Sequence, residues 1–259
     1  METVRKYGKK PYNIVLLHGG PGAAGEMKPV AERLSSDFGV LELLQTEKTI
    51  NGQVEEVQHQ LDAFAELPVT LVGYSWGAWL AILFASLHKK YVKKLILISA
   101  GSLNSKYQPD IMQIRLERLK EQERVEVIQI MEDMDSGLSD NVQFARFGQL
   151  MNQADSYAYE PMGNDLMEAD VEINRKIWFE ARSLRECGEL LNFAGDIKCP
   201  VVVFHGDYDP HPLEGVKKPL SEKLEHFRFI KLKKCGHTPW HEKYARESFF
   251  DLLKNVLAL

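Results

Sequence analysis

Short apolar segments rich in β-branched residues alternate with longer helical segments along most of this chain. Parallel strands joined by crossover helices produce such an alternation, because a strand buried on both faces is apolar throughout. The predicted strands are Ile14–Leu17, Val40–Leu44, Val69–Gly73, Lys94–Ser99, Pro200–Phe204 and Phe227–Leu232, and the predicted helices include Gly25–Ser36, Val54–Leu67, Leu213–Leu224 and Tyr244–Leu257. The sequence therefore predicts an α/β fold with a mostly parallel sheet flanked by helices.

The alternation stops between residues 101 and 194. Apolar residues such as Ile111, Ile114, Leu119, Val125 and Ile128 recur there at intervals of three to six positions, roughly as on one helical face. We expect a helical lid at 101–194, inserted between two core segments, 1–100 and 195–259. Ligands bind at the carboxyl ends of strands in open α/β sheets, so a lid over that edge would shape the binding pocket.

The motif Gly73-Tyr74-Ser75-Trp76-Gly77 lies between a predicted strand and the apolar segment Trp76–Leu87, which is predicted to be a buried helix. A sharp strand-to-helix turn projects a serine hydroxyl from the edge of the sheet. The residues two before and two after the serine must be small, because strand and helix approach closely there. The motif and its context predict Ser75 as a nucleophile.

A serine hydroxyl needs a general base, and His237 follows the last predicted strand. Because the carboxyl ends of parallel strands meet at one edge, this position is on the same side of the sheet as Ser75. The chain order Ser, Asp, His also agrees with a nucleophile at a strand-to-helix turn. The other histidines fit the role of the base less well. We interpret His18 as structural because it belongs to a glycine-rich loop, and we predict helical or turn positions for His59, His88, His226 and His241.

Two aspartates follow the second-to-last predicted strand, Pro200–Phe204, in the segment Gly206-Asp207-Tyr208-Asp209. Asp209 is far enough from the end of the strand to reach across to the imidazole, and we predict it as the acid that orients His237. Asp207 is the alternative, although its position near the end of the strand also suits a local turn.

An oxyanion requires two backbone N–H groups aimed at the developing charge. We predict one at Trp76, directly after the nucleophile, and the other in the loop His18-Gly19-Gly20-Pro21-Gly22. Gly20 is the preferred residue of that loop and Gly19 is the alternative.

The bulk properties exclude several other classes of protein. A net charge of −5 argues against nucleic-acid binding through a basic face. Three cysteines without a CxxC pair (Cys187, Cys199 and Cys235) argue against a zinc cluster or a disulfide framework, and favour a reducing, cytoplasmic location. No apolar leader segment is visible, and Trp76–Leu87 is too short to span a membrane. We expect no metal, no organic cofactor, no nucleic acid and no membrane partner; the oligomeric state stays open.

Together, the HGGPG loop, the GYSWG turn, the Gly206–Asp209 spacing and Gly236-His237 resemble the α/β-hydrolase superfamily, across nearly the whole chain apart from the lid. HGGPG with a Ser-Trp-Gly turn looks most like the proline iminopeptidase branch, whose members remove N-terminal residues from peptides. That resemblance implies a lid carboxylate that binds the substrate's free amine, and the candidates are Glu160, Asp165, Glu168, Asp170 and Glu180. Residues that could line a pocket, or form the core of the lid, are Trp178, Phe179, Tyr157, Tyr159, Met162 and Met167.

The leading interpretation is a serine hydrolase that cleaves a small carboxylic ester or amide through an acyl-enzyme. An aminopeptidase acting on short peptides is the next alternative. The same fold and triad also support lyase chemistry and carbon–carbon bond hydrolysis, and a non-catalytic ligand-binding protein is the last alternative, because a fold does not fix a function.

Overall fold

Strands and helices alternate along the chain as the sequence predicted. The computed structural model describes residues 3–107, 110–162 and 168–259. Its strands are β1 (Val4–Tyr7), β2 (Tyr12–Leu17), β3 (Ala23–Ala24), β4 (Gly39–Leu43), β5 (Val69–Tyr74), β6 (Val92–Ile98), β7 (Glu168–Ala169), β8 (Val201–Gly206) and β9 (Phe227–Leu232). Its α-helices are α1 (Lys28–Leu34), α2 (Ile50–Phe64), α3 (Trp76–Leu87), α4 (Ile111–Arg118), α5 (Glu121–Asp135), α6 (Asn141–Asp155), α7 (Val171–Glu186), α8 (Glu189–Gly195), α9 (Glu214–Lys223) and α10 (Arg246–Ala258).

Seven strands form the main sheet, in the order β1-β4-β2-β5-β6-β8-β9. Every pair in it is parallel except β1 with β4, which is antiparallel. The predicted fold, a mostly parallel sheet flanked by helices, is confirmed. Strand β1 was not predicted, because Val-Arg-Lys-Tyr carries the charges that are typical of a sheet edge rather than of a buried strand.

The sheet is buried on both faces by two separate apolar cores. In β2, Val15 and Leu17 belong to one core and Ile14 and Leu16 to the other, because successive side chains of a strand point to opposite faces. Helices α2, α3, α7, α8 and α9 contribute buried residues to the first core, whereas α1 and α10 contribute to the second. Burial on both faces explains why the central strands are apolar without interruption.

The segment predicted as a lid divides into two parts in its packing. Residues from α5 and α6 form a small core of their own, with Val127, Leu150 and Met151 at its centre. Helices α7 and α8 instead bury Ile177 and Leu190 in the main core beside the sheet. The division at 101 and 194 stays a prediction, but the second half of that segment packs with the core.

The segment predicted as a lid also contacts the glycine-rich loop, through β7 and α7. Strand β7 pairs with β3 in a two-stranded antiparallel sheet. The Asn174 side chain in α7 donates a hydrogen bond of 2.9 Å to the carbonyl oxygen of Pro21. Strand β7 and helix α7 therefore both contact the loop that follows β2.

Within the described residues, the helices are too short or too polar to cross a bilayer.

Candidate active site

Ser75 occupies the turn between β5 and α3. Its φ of 51° and ψ of −113° lie outside the regions that L-residues prefer. A Cβ at Gly77 would overlap the carbonyl oxygen of Leu17, and a Cβ at Gly73 would overlap that of Gly77. The two glycines therefore allow the strand and the helix to approach closely enough to form this turn. The turn places the Ser75 hydroxyl at the carboxyl edge of the sheet.

Ser75, His237 and Asp209 form a continuous chain of hydrogen bonds. Ser75 Oγ lies 3.0 Å from His237 Nε2, and His237 Nδ1 lies 2.8 Å from Asp209 Oδ2. A carboxylate can only accept a hydrogen bond, so the proton of the neutral imidazole belongs on Nδ1 and Nε2 accepts from the serine. The structure thus brings the three predicted side chains together in the tautomer that a general base requires.

The two candidate aspartates have different neighbours. The Asp209 side chain is fully buried, and its two oxygens face His237 and His211. Asp207 accepts a hydrogen bond of 3.3 Å from the backbone N–H of Cys235, as a carboxylate that stabilises a local turn does. The geometry favours Asp209 over Asp207 as the partner of the imidazole.

Burial and neighbouring charges shift the pKa values of Asp209 and His237 in opposite directions. Burial raises the pKa of Asp209, but the neighbouring His237, His211 and His205 outweigh it and hold the pKa well below its usual range. Burial lowers the pKa of His237, but the Asp209 carboxylate outweighs it and raises the pKa above its usual 6.5. The pair therefore holds an ionised carboxylate beside a strengthened base.

His211 is a member of this cluster that the sequence analysis missed. Its backbone N–H and its Nδ1 lie 2.9 and 2.8 Å from Asp209 Oδ1. Its ring stacks on that of His237, with centroids 4.5 Å apart. The spacing Asp209-Pro210-His211 could have predicted this contact, because the residue two positions after an aspartate in a turn can hydrogen-bond to its carboxylate.

The predicted oxyanion donors lie on either side of Ser75. Trp76 is the first residue of α3, so its N–H has no acceptor within the helix. Gly20 adopts a φ of 98°, which favours glycine. The N–H of Gly19 donates to Glu26 Oε2 at 3.2 Å and is already engaged. Gly20 and Trp76 therefore stay the predicted oxyanion donors.

His18 has the structural role that the sequence suggested. Its side chain is buried, its Nε2 accepts from the Gln45 N–H at 3.2 Å, and its Nδ1 donates to the Gly19 carbonyl oxygen at 2.9 Å. Burial lowers the pKa of His18 to about 4, so the ring is neutral near pH 7. A neutral imidazole thus joins the glycine-rich loop to the end of β4.

The lid segment contacts the loop that carries His237. The backbone N–H of His237 donates to the carbonyl oxygen of Asp155, the last residue of α6, at 3.1 Å. The Asp155 carboxylate is itself buried against Arg115 of α4, with Nε to Oδ1 at 2.8 Å. A Cβ at Gly236 would overlap the carbonyl oxygen of Asp155, which leaves only glycine at that position. The segment predicted as a lid therefore holds the backbone at His237.

Glu242 also joins the loop that carries His237 to the segment after α6. Its buried carboxylate accepts hydrogen bonds from three backbone N–H groups, at 2.6 Å from Gly236, 2.7 Å from Tyr157 and 2.8 Å from Ala158. One carboxylate therefore satisfies three backbone donors from two loops. Two segments distant in sequence are thus joined next to His237.

The described lid carboxylates already have partners. Glu160 pairs with Arg246 at 3.2 Å, Glu168 pairs with Arg5, and Glu180 accepts from the Ile50 N–H at 2.8 Å. Asp170 caps α7 by accepting from the Ile173 N–H at 2.9 Å. Asp165 lies outside the described residues. Each described candidate thus has a structural role of its own.

The predicted pocket-lining side chains do not form one group. Trp178 packs edge to face on Trp79, with centroids 5.8 Å apart, and Met162 packs against the core on the α10 side. Phe179 is 78% exposed, which places it on the surface of α7 rather than in a pocket. Tyr157 and Tyr159 are also exposed, and Met167 lies outside the described residues.

Within the described ranges, one set of side chains has the spacing of metal ligands. The ligand atoms of Asp209, His211 and His237 all lie within 4.8 Å of one another. Both imidazoles, however, have Nδ1 within hydrogen-bond distance of Asp209, and His237 Nε2 lies 3.0 Å from Ser75 Oγ. We interpret the set as a proton-sharing cluster and assign no metal to it.

The fold and the site together define a class: α/β proteins with a Ser–His–Asp constellation at the carboxyl edge of a parallel sheet. The chain belongs to the alpha/beta hydrolase family, whose model matches residues 14–249. No curated protein matches the sequence.

Solved structures resemble the whole chain at low sequence identity. VinJ is 18% identical with a TM-score of 0.69, over 98% of this chain and 94% of that one. The enol-lactonase from Burkholderia xenovorans LB400 is 15% identical with a TM-score of 0.65, over 99% of this chain and 96% of that one. Est816, an N-acyl homoserine lactone degrading enzyme, is 16% identical with a TM-score of 0.64, over 97% and 95%. These similarities show the fold.

Proposed function

We propose that the protein is a serine hydrolase that cleaves a small carboxylic ester through an acyl-enzyme. The observation that carries this proposal is the hydrogen-bonded chain from Ser75 through His237 to the buried Asp209. An aligned hydroxyl, a base in the required tautomer and an ionised acid are the parts that acyl transfer needs.

The chemistry follows from the positions of these groups. Ser75 Oγ attacks the ester carbonyl while its proton moves to His237 Nε2, and Asp209 stabilises the imidazolium. The N–H groups of Gly20 and Trp76 bind the oxyanion. When the carbon–oxygen bond breaks, the leaving alkoxide takes the proton from His237. Water then attacks the acyl-enzyme, with His237 again acting as the base. The bond between the acyl carbon and Ser75 Oγ breaks, Oγ takes the proton back from His237, and the carboxylic acid is released.

An ester is favoured over a peptide because of the lid carboxylates. The proline iminopeptidase resemblance requires one that can bind a free amine, and each described candidate is engaged by an arginine or a backbone N–H. A substrate amine would have to displace the partner that each of these carboxylates already has. Solved structures of similar fold include an enol-lactonase, an N-acyl homoserine lactone degrading enzyme and a thioesterase domain, which supports an ester-type substrate.

A direct comparison of two substrates tests this choice. We expect the purified protein to release p-nitrophenol from a short-chain p-nitrophenyl ester and to leave prolyl and alanyl p-nitroanilides intact. The Ser75→Ala variant gives the background rate for both. Efficient anilide cleavage that disappears when the amine is blocked would overturn the ester proposal in favour of an aminopeptidase, with the lid carboxylates as the next targets.

The pH dependence of ester hydrolysis gives a second test. Only neutral His237 can accept the Ser75 proton, so kcat/KM should fall about tenfold per pH unit below the pKa of this residue. Asp209 raises that pKa above 6.5, so the midpoint of the acid limb should lie above pH 6.5. The measurement is kcat/KM between pH 5 and pH 9 in buffers of constant ionic strength. A midpoint below pH 6.5 would contradict the assigned Asp209–His237 coupling.

A further inference from the structure

Asp209 has a second imidazole partner besides His237. The Asp209 Oδ2 oxygen faces His237, whereas Oδ1 accepts from both the backbone N–H and the Nδ1 of His211. Two donors from one residue thus fix one oxygen and leave the other for the base. Hydrogen bonds to a buried carboxylate restrict its rotation as well as stabilising its charge.

His211 is itself held in place from two sides. Its ring stacks on the His237 ring, with an interplanar angle of 29°. Its carbonyl oxygen accepts a hydrogen bond of 2.9 Å from Nε2 of the buried His205. The His211 side chain is largely buried, with 16% exposed. The ring therefore has a defined place beside the pair that carries the proton.

We propose that His211 is a positioning residue: by donating to Asp209 Oδ1, it holds Oδ2 toward His237 and weakens the attraction of the carboxylate for the His237 proton. This inference rests on the proposed hydrolase function. A carboxylate that shares its charge with a second donor binds the imidazolium less tightly, which makes it easier for His237 to pass its proton to the leaving group.

The charges around His211 support this role at neutral pH. Burial lowers the pKa of His211, the Asp209 carboxylate raises it, and His237 and Arg115 lower it again, with a net decrease. Arg115 is paired with Asp155, and His205 lies on the other side of the carboxylate, 3.7 Å from Oδ2. A neutral His211 donates through Nδ1, whereas a protonated one would place a second positive charge against His237.

Two substitutions separate the donor from the ring. His211→Phe keeps an aromatic ring for stacking and removes the Nδ1–H. His211→Asn removes the ring but places an amide N–H where Nδ1 was. His59→Asn, on the exposed surface of α2, is the matched control for the loss of a histidine.

For His211→Phe we expect kcat/KM for the ester to fall about tenfold, mainly through kcat, because a hydrogen bond to a charged group is lost. Its acid limb should move up by about half a pH unit or more, because Asp209 then binds the His237 proton more tightly. His211→Asn should recover most of the lost rate, and His59→Asn should resemble the wild type. A His211→Phe variant with an unchanged rate and acid limb, or a His211→Asn variant that is as impaired as His211→Phe, would overturn the inference.

A titration without turnover separates this inference from the proposed function. In the Ser75→Ala background, NMR of the ¹⁵N-labelled imidazoles gives the pKa of His237 with and without His211→Phe. We expect the substitution to raise that pKa, even if no ester proves to be a substrate. An unchanged His237 pKa would overturn the role of His211 while leaving a hydrolase activity intact. If His211→Phe does not fold, His211→Ala, which also removes the Nδ1–H, is titrated instead, and an unchanged His237 pKa in that variant would overturn the inference.

Discussion

Replacing Ser75 by Ala is expected to lower kcat for ester hydrolysis by about 10⁵- to 10⁶-fold, the loss found when a nucleophile of this kind is removed. Without Oγ no acyl-enzyme can form, although His237, Asp209 and the oxyanion donors stay in place. What remains should be the slow attack of water within the site. The measurement is the initial rate with a p-nitrophenyl ester at saturating concentration.

The fold of this variant should be unchanged. Alanine has the same Cβ as serine and adopts the φ of 51° at similar cost, so the thermal midpoint should stay close to that of the wild type. Ser86→Ala is the matched control, since Ser86 is a buried serine in the next helix whose hydroxyl donates to the Leu83 carbonyl oxygen at 2.8 Å. Its activity should be retained. Undiminished activity in Ser75→Ala would remove Ser75 as the nucleophile.

Asp209→Asn should lower kcat by about 10⁴-fold, because an amide can hold the imidazole in the wrong tautomer and cannot stabilise the imidazolium. The fully buried carboxylate lies 2.8 Å from His237 Nδ1, so no other group can substitute for it without a rearrangement. Steady-state kinetics with the same ester give the size of the effect. The substitution preserves the volume of the side chain, so the loss reports on charge and tautomer rather than on packing.

Asp207→Asn is the control within the same loop. Asp207 accepts from the Cys235 N–H at 3.3 Å, and the amide oxygen of asparagine can accept the same hydrogen bond. We expect a change in kcat of about threefold or less. The reverse pattern, a large loss for Asp207→Asn and a small one for Asp209→Asn, would transfer the role of the acid to Asp207.

The main features of the site could be predicted because each depends on local sequence. The turn at Ser75 requires glycines at 73 and 77, and the structure shows why, since a Cβ at either position would overlap a backbone carbonyl. The positions of Asp209 and His237 follow from the ends of β8 and β9, because parallel strands present their carboxyl ends at one edge. The positions of Ser75, Asp209 and His237 could therefore be predicted from the glycine spacing and from the order of the parallel strands.

Features that depend on the path of a loop were not predictable in the same way. His211 is two residues from Asp209 in sequence, but whether its ring turns back to the carboxylate depends on the conformation around Pro210 and on His205. The hydrogen bonds from Tyr157 and Ala158 to the Glu242 carboxylate join segments more than eighty residues apart, and no local pattern predicts them. The helical periodicity of residues 101–194 likewise predicted helices, but not that α7 and α8 pack in the main core.

Ser75 should become acylated during turnover, and intact-protein mass spectrometry after rapid acid quenching detects the acyl-enzyme. The wild-type protein, mixed with a short-chain p-nitrophenyl ester, should show a burst of p-nitrophenol and a mass increase of one acyl group. Peptide mapping should place that group on Ser75, and Ser75→Ala should show neither the burst nor the adduct. Ester turnover with an acyl group on another residue, or turnover that persists undiminished in Ser75→Ala, would contradict the account.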